Sequence, residues 1–97
     1  MAERDIIIHV KAENSFRKKA SWYYMNRGAS FVISFTEDIW RTYHALAQMP
    51  KIGQIKKATP SRIYAEFVSH PQVIVQYWYD ERELHILNLR YTQMKAR

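Results

Sequence analysis

The side chains able to do chemistry in this sequence are mostly cations and phenols. Lys56, Lys57 and Arg62 fall in residues 51–62, which also hold Lys51 and contain no acid. Arg90, Lys95 and Arg97 fall in residues 84–97, again without an acid. Arginine donates paired hydrogen bonds to phosphate and lysine supplies a point charge, so both can stabilise charge that develops on phosphoryl oxygens during a transesterification. Tyrosine can stack on a base or transfer a proton. The set suits a phosphodiester; a solvated surface that is simply basic is the plainer alternative.

Other site chemistries fit less well. His9, His44, His70 and His85 are scattered, with no His-x-x-x-His pair and no carboxylate at ligand spacing, so no metal centre is expected. Gly28 and Gly53 are too few for a glycine-rich phosphate loop, and no nucleotide cofactor of the dinucleotide or P-loop kind is expected. The absence of cysteine removes disulfides, thiolate metal sites and a cysteine nucleophile. Glu37 and Asp38 read as helix-start residues, and Asp80, Glu81 and Glu83 as turn residues.

These groups sit in a chain of 97 residues with 15 Lys/Arg and 9 Asp/Glu, a net charge of +6. At 47% hydrophobic and 14% aromatic it is no disordered polycation, and its length suits one domain over residues 1–97 rather than a multidomain enzyme. An apolar run of only three isoleucines before His9 and Lys11 fits neither a signal peptide nor a membrane span, so a cytoplasmic protein without a membrane partner is expected.

The elements that must position the cations are readable by periodicity. Asp5 to Lys11 alternates as a strand. Asn14 and Ser15 offer N-cap oxygens for a helix from Ser15 to Arg27, with Phe16, Ala20, Tyr23 and Tyr24 inward and Gly28 as its stop. Ser30 to Phe35 has strand propensity, but Phe31, Phe35, Ile39, Thr42, Leu46 and Met49 recur at helical spacing. The longer pattern predicts a helix capped at Ser30 or at Thr36 and ended by Pro50. Residues 51–60 read as a loop or irregular edge strand. Arg62 to Ser69, Val73 to Tyr79 and Leu84 to Tyr91 read as an antiparallel meander.

Alternation then assigns faces. Arg62 shares a face with Tyr64, Glu66 and Val68, where a salt bridge to Glu66 or a solvated edge would account for it. In the last strand Leu84, Ile86, Asn88 and Arg90 share one face, His85, Leu87, Leu89 and Tyr91 the other, and Arg90 points outward. The layout is an α+β domain with a helical pair covering one sheet face.

Taken together, the opening strand IIIHV, the WYY of the first helix, SFTEDIWRTYHALAQMPKIG and VIVQYWYDERELHILNLRYTQ resemble the RelE/ParE superfamily of small toxins from bacterial type II toxin–antitoxin systems. The resemblance runs nearly end to end. It implies a β-α-α-β-β-β domain, with a two-helix hairpin on a mainly antiparallel sheet, and a cognate antitoxin protein as partner. RelE-like members cut messenger RNA on the ribosome with basic sheet residues and a terminal Tyr or His; ParE-like members poison DNA gyrase. By position, Arg62, Arg90 and Tyr91 would be catalytic if the chain is RelE-like, with Lys56, Lys57 and Lys95 as nucleic-acid contacts. Where ribonuclease members can show His-Tyr after the Arg-Tyr step, this chain has Thr92 and Gln93, neither an acid nor a base near neutral pH. That departure tilts the expectation toward gyrase; an mRNA endoribonuclease and a non-toxic nucleic-acid-binding module are the other readings. Trp22, Trp40 and Trp78 would serve as docking aromatics for an acidic antitoxin tail if exposed, while burial in the core is the simpler assignment.

Overall fold

Ile6 and Ile8 point to the same side of a four-residue strand, β1 (Asp5–Ile8), and both pack against the core. The computed structural model describes residues 3–69 and 73–92. From β1 the chain passes through α1 (Val10–Arg27), α2 (Ala29–Gln48), a 3₁₀ turn (Pro50–Ile52), and the strands β2 (Gln54–Ala58), β3 (Ile63–Ser69), β4 (Val73–Tyr79) and β5 (Glu83–Tyr91). The strands form one sheet in the order β1-β5-β4-β3-β2, with β1 parallel to β5 and every other pair antiparallel.

The first strand is shorter than the alternation of Asp5 to Lys11 predicts. His9 N–H donates to the Ile86 carbonyl at 2.9 Å, the last rung, and the His9 carbonyl then accepts from Glu13 N–H at 3.0 Å as α1 begins. Helix α1 therefore starts at Val10, not Ser15. Ser15 is no cap; its hydroxyl donates to the Leu89 carbonyl at 2.6 Å and fastens the helix to β5.

Gly28 both ends α1 and precedes α2. Its φ of 93° lies where L side chains are strained, and its N–H donates to the Tyr23 and Tyr24 carbonyls. A single residue thus reverses the chain. The helical stripe prevails over the strand propensity of Ser30 to Phe35, and α2 starts at Ala29, so Thr36 is internal, donating to the Val32 carbonyl. Phe35, Ile39 and Leu46 of the stripe are buried and are joined by Tyr43 and Ala47, whereas Met49 is exposed. Phe16 stacks on Phe35 and Tyr23 meets Phe31 and Phe35 edge-on, so aromatic contacts join the two helices.

The helices cover one face of the sheet, where Ala65, Val73, Val75, Tyr77, Tyr79, Leu84, Ile86 and Leu89 complete the core. Residues 51–60 resolve into the 3₁₀ turn and a fifth, edge strand, one strand more than the β-α-α-β-β-β expectation. Tyr77 anchors this end: its buried hydroxyl donates to the Pro50 carbonyl at 2.7 Å, and Gly53 leaves the room it needs. Trp22 and Trp40 are 49% and 41% exposed and lie outside the core, whereas Trp78 is buried on the sheet face opposite the helices.

Candidate functional site

Parity along β3 and β4 sends Tyr64, Glu66 and Val68, and Ile74, Gln76 and Trp78, to the sheet face that the helices leave open. On β5 the alternation expected from the sequence fails. Gln76 pairs with Asn88 but Tyr77 pairs with Ile86, so Leu87 is an extra residue and the strand changes parity there. Leu84 and Ile86 consequently share the core side with Leu89, while His85, Asn88 and Arg90 lie on the open side. Arg90 points outward as expected, but its face partners are His85 and Asn88 rather than Leu84 and Ile86.

A second bulge works on β2. Ile55 pairs with Ala65 and Lys57 with Tyr64, leaving Lys56 extra. Two consecutive lysines, which a regular strand would send to opposite faces, thereby both reach the open one. Lys57 Nζ stands 6.0 Å from the Tyr64 ring centroid, and Lys56 Nζ stands 4.0 Å from Glu66 Oε1.

The floor of this face is a polar chain across three strands. Asn88 Nδ2 donates to Gln76 Oε1 at 3.1 Å, and Gln76 Nε2 donates to Glu66 Oε2 at 2.9 Å. Arg90 Nη1 approaches Glu66 Oε2 to 4.0 Å. A groove of about 300 Å³ runs above the chain, with Lys11 and Lys56 on its rim. Lys11 reaches it because the chain turns at His9, a position that a longer first strand would not have provided. Glu66 moderates Lys56 and Arg90, whereas Lys11, Lys57 and Arg62 have no carboxylate ion pair among the described residues.

Beside the groove runs a row of stacked rings. Arg62 Cζ lies 4.1 Å from the Trp78 centroid, and its Nη1 donates to the Tyr64 hydroxyl at 3.2 Å. It is not salt-bridged to Glu66; it stays exposed next to the start of β3, with its guanidinium over an aromatic face. Trp78 stacks on His85 with centroids 3.8 Å apart. His85 Nε2 is 2.9 Å from Glu83 Oε1, and His85 Nδ1 is 2.8 Å from His9 Nε2. With His85 Nε2–H donating to the carboxylate, His85 Nδ1 is left as the acceptor and His9 Nε2 as the donor.

No carboxylate at metal-ligand spacing points to this Glu83–His85–His9 chain. The Glu-x-His spacing on one strand face was a usable signal; the approach of His9 was not, because it depends on parallel pairing of β1 with β5. Among the described residues, no three His, Asp or Glu side chains are grouped as a cation site would require.

Arg62, Arg90, Lys56 and Lys57 thus share one face. Tyr91 does not join them. It lies on the helix side, its hydroxyl donating to the Ser15 carbonyl at 3.1 Å and Lys19 Nζ 5.0 Å from its ring centroid. Burial pushes its phenol above the ordinary tyrosine value. Lys95 lies outside the described residues, as does Gln93. The face as built can hold and orient a polyanion; the phenol expected to move protons is behind it.

Comparison with known proteins separates sequence from fold. No family model matches the chain, and no curated protein matches it. Among solved structures, a chain described as "Chromosomal ParDE TA system from P. aeruginosa" superposes with a TM-score of 0.74 at 14% identity, covering 94% of this chain and 98% of that one. The match is therefore one of fold, and this chain, with two helices packed on a five-stranded, mostly antiparallel α+β sheet, has a RelE/ParE-like fold.

Proposed function

We propose that this chain is the toxin of a type II toxin–antitoxin pair, arresting growth in the cytoplasm until a cognate antitoxin protein neutralises it. The observation that carries this reading is the end-to-end likeness of its fold to a chain of a ParDE TA system. The half-exposed Trp22 and Trp40 add support, since an acidic tail that folds on binding needs such apolar anchors beside a basic surface.

DNA gyrase is the favoured target. Tyr91 is the remaining phenol of the terminal strand, and it is turned to the helix side and bonded to a backbone carbonyl. Thr92 offers no acid or base. A second reading, ribosome-dependent mRNA cleavage, is supported by the gathering of Arg62, Arg90, Lys56 and Lys57 on one face with His85 in the same row.

Induction of this gene alone, with growth, messenger RNA and chromosomal DNA followed together, decides between them. The gyrase reading expects DNA breaks with intact messenger RNA, and recovery on co-expression of the neighbouring antitoxin gene. Codon-dependent mRNA cleavage that Arg90→Ala abolishes would replace it with the nuclease reading. Unaffected growth would refute both and leave a non-toxic module with this fold.

A further inference from the structure

Where the β2–β3 hairpin meets the β4–β5 turn, a cleft of about 460 Å³ opens. It brings together Arg4 from the segment before β1, Arg62 from the hairpin and Arg82 from the turn. Three arginines from separate segments around one cleft favour an anion there. None of the three makes a carboxylate ion pair among the described residues.

Two of them are preset by aromatic rings. Arg62 lies over Trp78, and Arg4 Cζ stands 5.5 Å from the Tyr79 centroid. Arg62 uses Nη1 on the Tyr64 hydroxyl, and Arg4 donates Nε to the Asp80 carbonyl at 2.6 Å. Stacking fixes the plane of a guanidinium but leaves its edge, with most of its five N–H groups, free for an anion. Tyr79 contributes to the cleft wall through the ring that Arg4 covers, while its hydroxyl lies buried away from the surface.

Two carboxylates also border the cleft. Asp80 is committed to its own turn, Oδ1 accepting the N–H groups of Arg82 and Glu83 at 2.8 Å each. Glu81 is exposed and opposes an anion, which gives its removal a definite sign.

We propose that this cleft binds the terminal phosphate of a nucleotide, reached by Arg4 from the helix side, by Arg62 from the open face and by Arg82 from the turn. A volume near 460 Å³ falls within the usual range of small-ligand sites. A phosphate dianion accepts from several guanidinium edges at once, which suits three arginines better than a lone carboxylate does. Pro60 and Ile63 supply an apolar wall for the sugar or base. The site goes beyond the toxin reading, and binding and growth arrest are measured separately.

Calorimetric titration of the full chain with ADP at low salt tests it, with Trp78 fluorescence as a local report on Arg62. ADP is expected to bind and adenosine to fail. Arg82→Gln, at an exposed position, is expected to weaken ADP about tenfold, as loss of a charge-assisted contact implies, and Arg62→Gln likewise. Glu81→Gln is expected to tighten binding, and Arg41→Gln on α2 to leave it unchanged. A 5′-phosphorylated oligonucleotide that outcompetes ADP, and loses its advantage on dephosphorylation, would keep the site and assign its phosphate to a nucleic-acid end. The proposal is overturned if ADP and adenosine bind alike, if Arg82→Gln and Arg62→Gln bind ADP as the parent does, or if an acidic peptide competes equally well.

Discussion

Replacing Tyr77 by Phe removes one oxygen from the core and tests how the cationic edge strand is held. In the folded chain that oxygen donates to the Pro50 carbonyl at 2.7 Å, in a buried setting. Losing the bond leaves the carbonyl unsatisfied, at a cost of about 1.5 kcal/mol near neutral pH. The same phenol also makes stability depend on alkali. Burial, then the neighbouring Tyr79, push its pKa from 10.0 up to about 12, while a hydrogen bond with the Gly53 backbone pulls the other way. A group whose pKa is raised by folding contributes stability that is complete below the unfolded value and is lost as pH climbs through the folded one. At pH 11, midway, the parent should have lost about 1.4 kcal/mol through this group, one unit's worth. The Phe variant has no phenol here to lose. Tyr43 and Tyr91, also raised by burial, are common to both proteins and cancel in the difference. Urea unfolding at pH 7 and pH 11 should therefore show the variant less stable at pH 7 and about equal to the parent at pH 11. A stability gap unchanged between the two pH values would refute the argument.

Three further outcomes are expected. Gly53→Ala should destabilise by about 1–3 kcal/mol in the same unfolding assay, because its Cβ would overlap the Tyr77 hydroxyl and lie 2.7 Å from the Glu66 carbonyl. Asp80→Asn should flatten the acid limb of stability: backbone N–H groups of Arg82 and Glu83 hold the Asp80 carboxyl below its ordinary value, so its contribution is present above about pH 4 and disappears as pH falls further. Thermal melts from pH 2 to pH 6 read this directly. Glu66→Gln should strengthen binding of heparin or RNA and steepen its salt dependence by about one to two charges, since Lys56 and Arg90 then lose their counter-charge; an unchanged salt slope would mean that neither cation reaches the polyanion.

Much of the scaffold was legible because it follows local rules. Val73 to Tyr79 appears with the expected bounds, and Gly28 stops the first helix where its positive φ demands a glycine. The illegible parts depend on pairing between distant segments. Leu87 and Lys56 look like ordinary strand residues; only the neighbouring strand makes each a bulge, and each bulge decides which side chains reach the open face. Alternation places Arg62 on the correct face, but its partner Trp78 comes from the next strand, so alternation alone does not reveal that contact. His9 and His85 meet through β1–β5 pairing that no periodicity reports. The two tryptophans on the helices remain outside because Phe35, Ile39, Tyr43 and Leu46 already fill the space beneath α2.

The parallel ladder between residues 5–8 and 83–86 also fixes an order of events during synthesis. Among the described residues β1 pairs only with β5, which follows it after both helices and the β2–β4 meander, so β1 stays unpaired while those elements can already form. Long-range closure of this kind is slow compared with local helix formation. The His9–His85 contact, Arg4's place in its cleft and the Lys11 side of the groove all depend on that closing step. These features therefore form only once β5 has been made and has paired with β1.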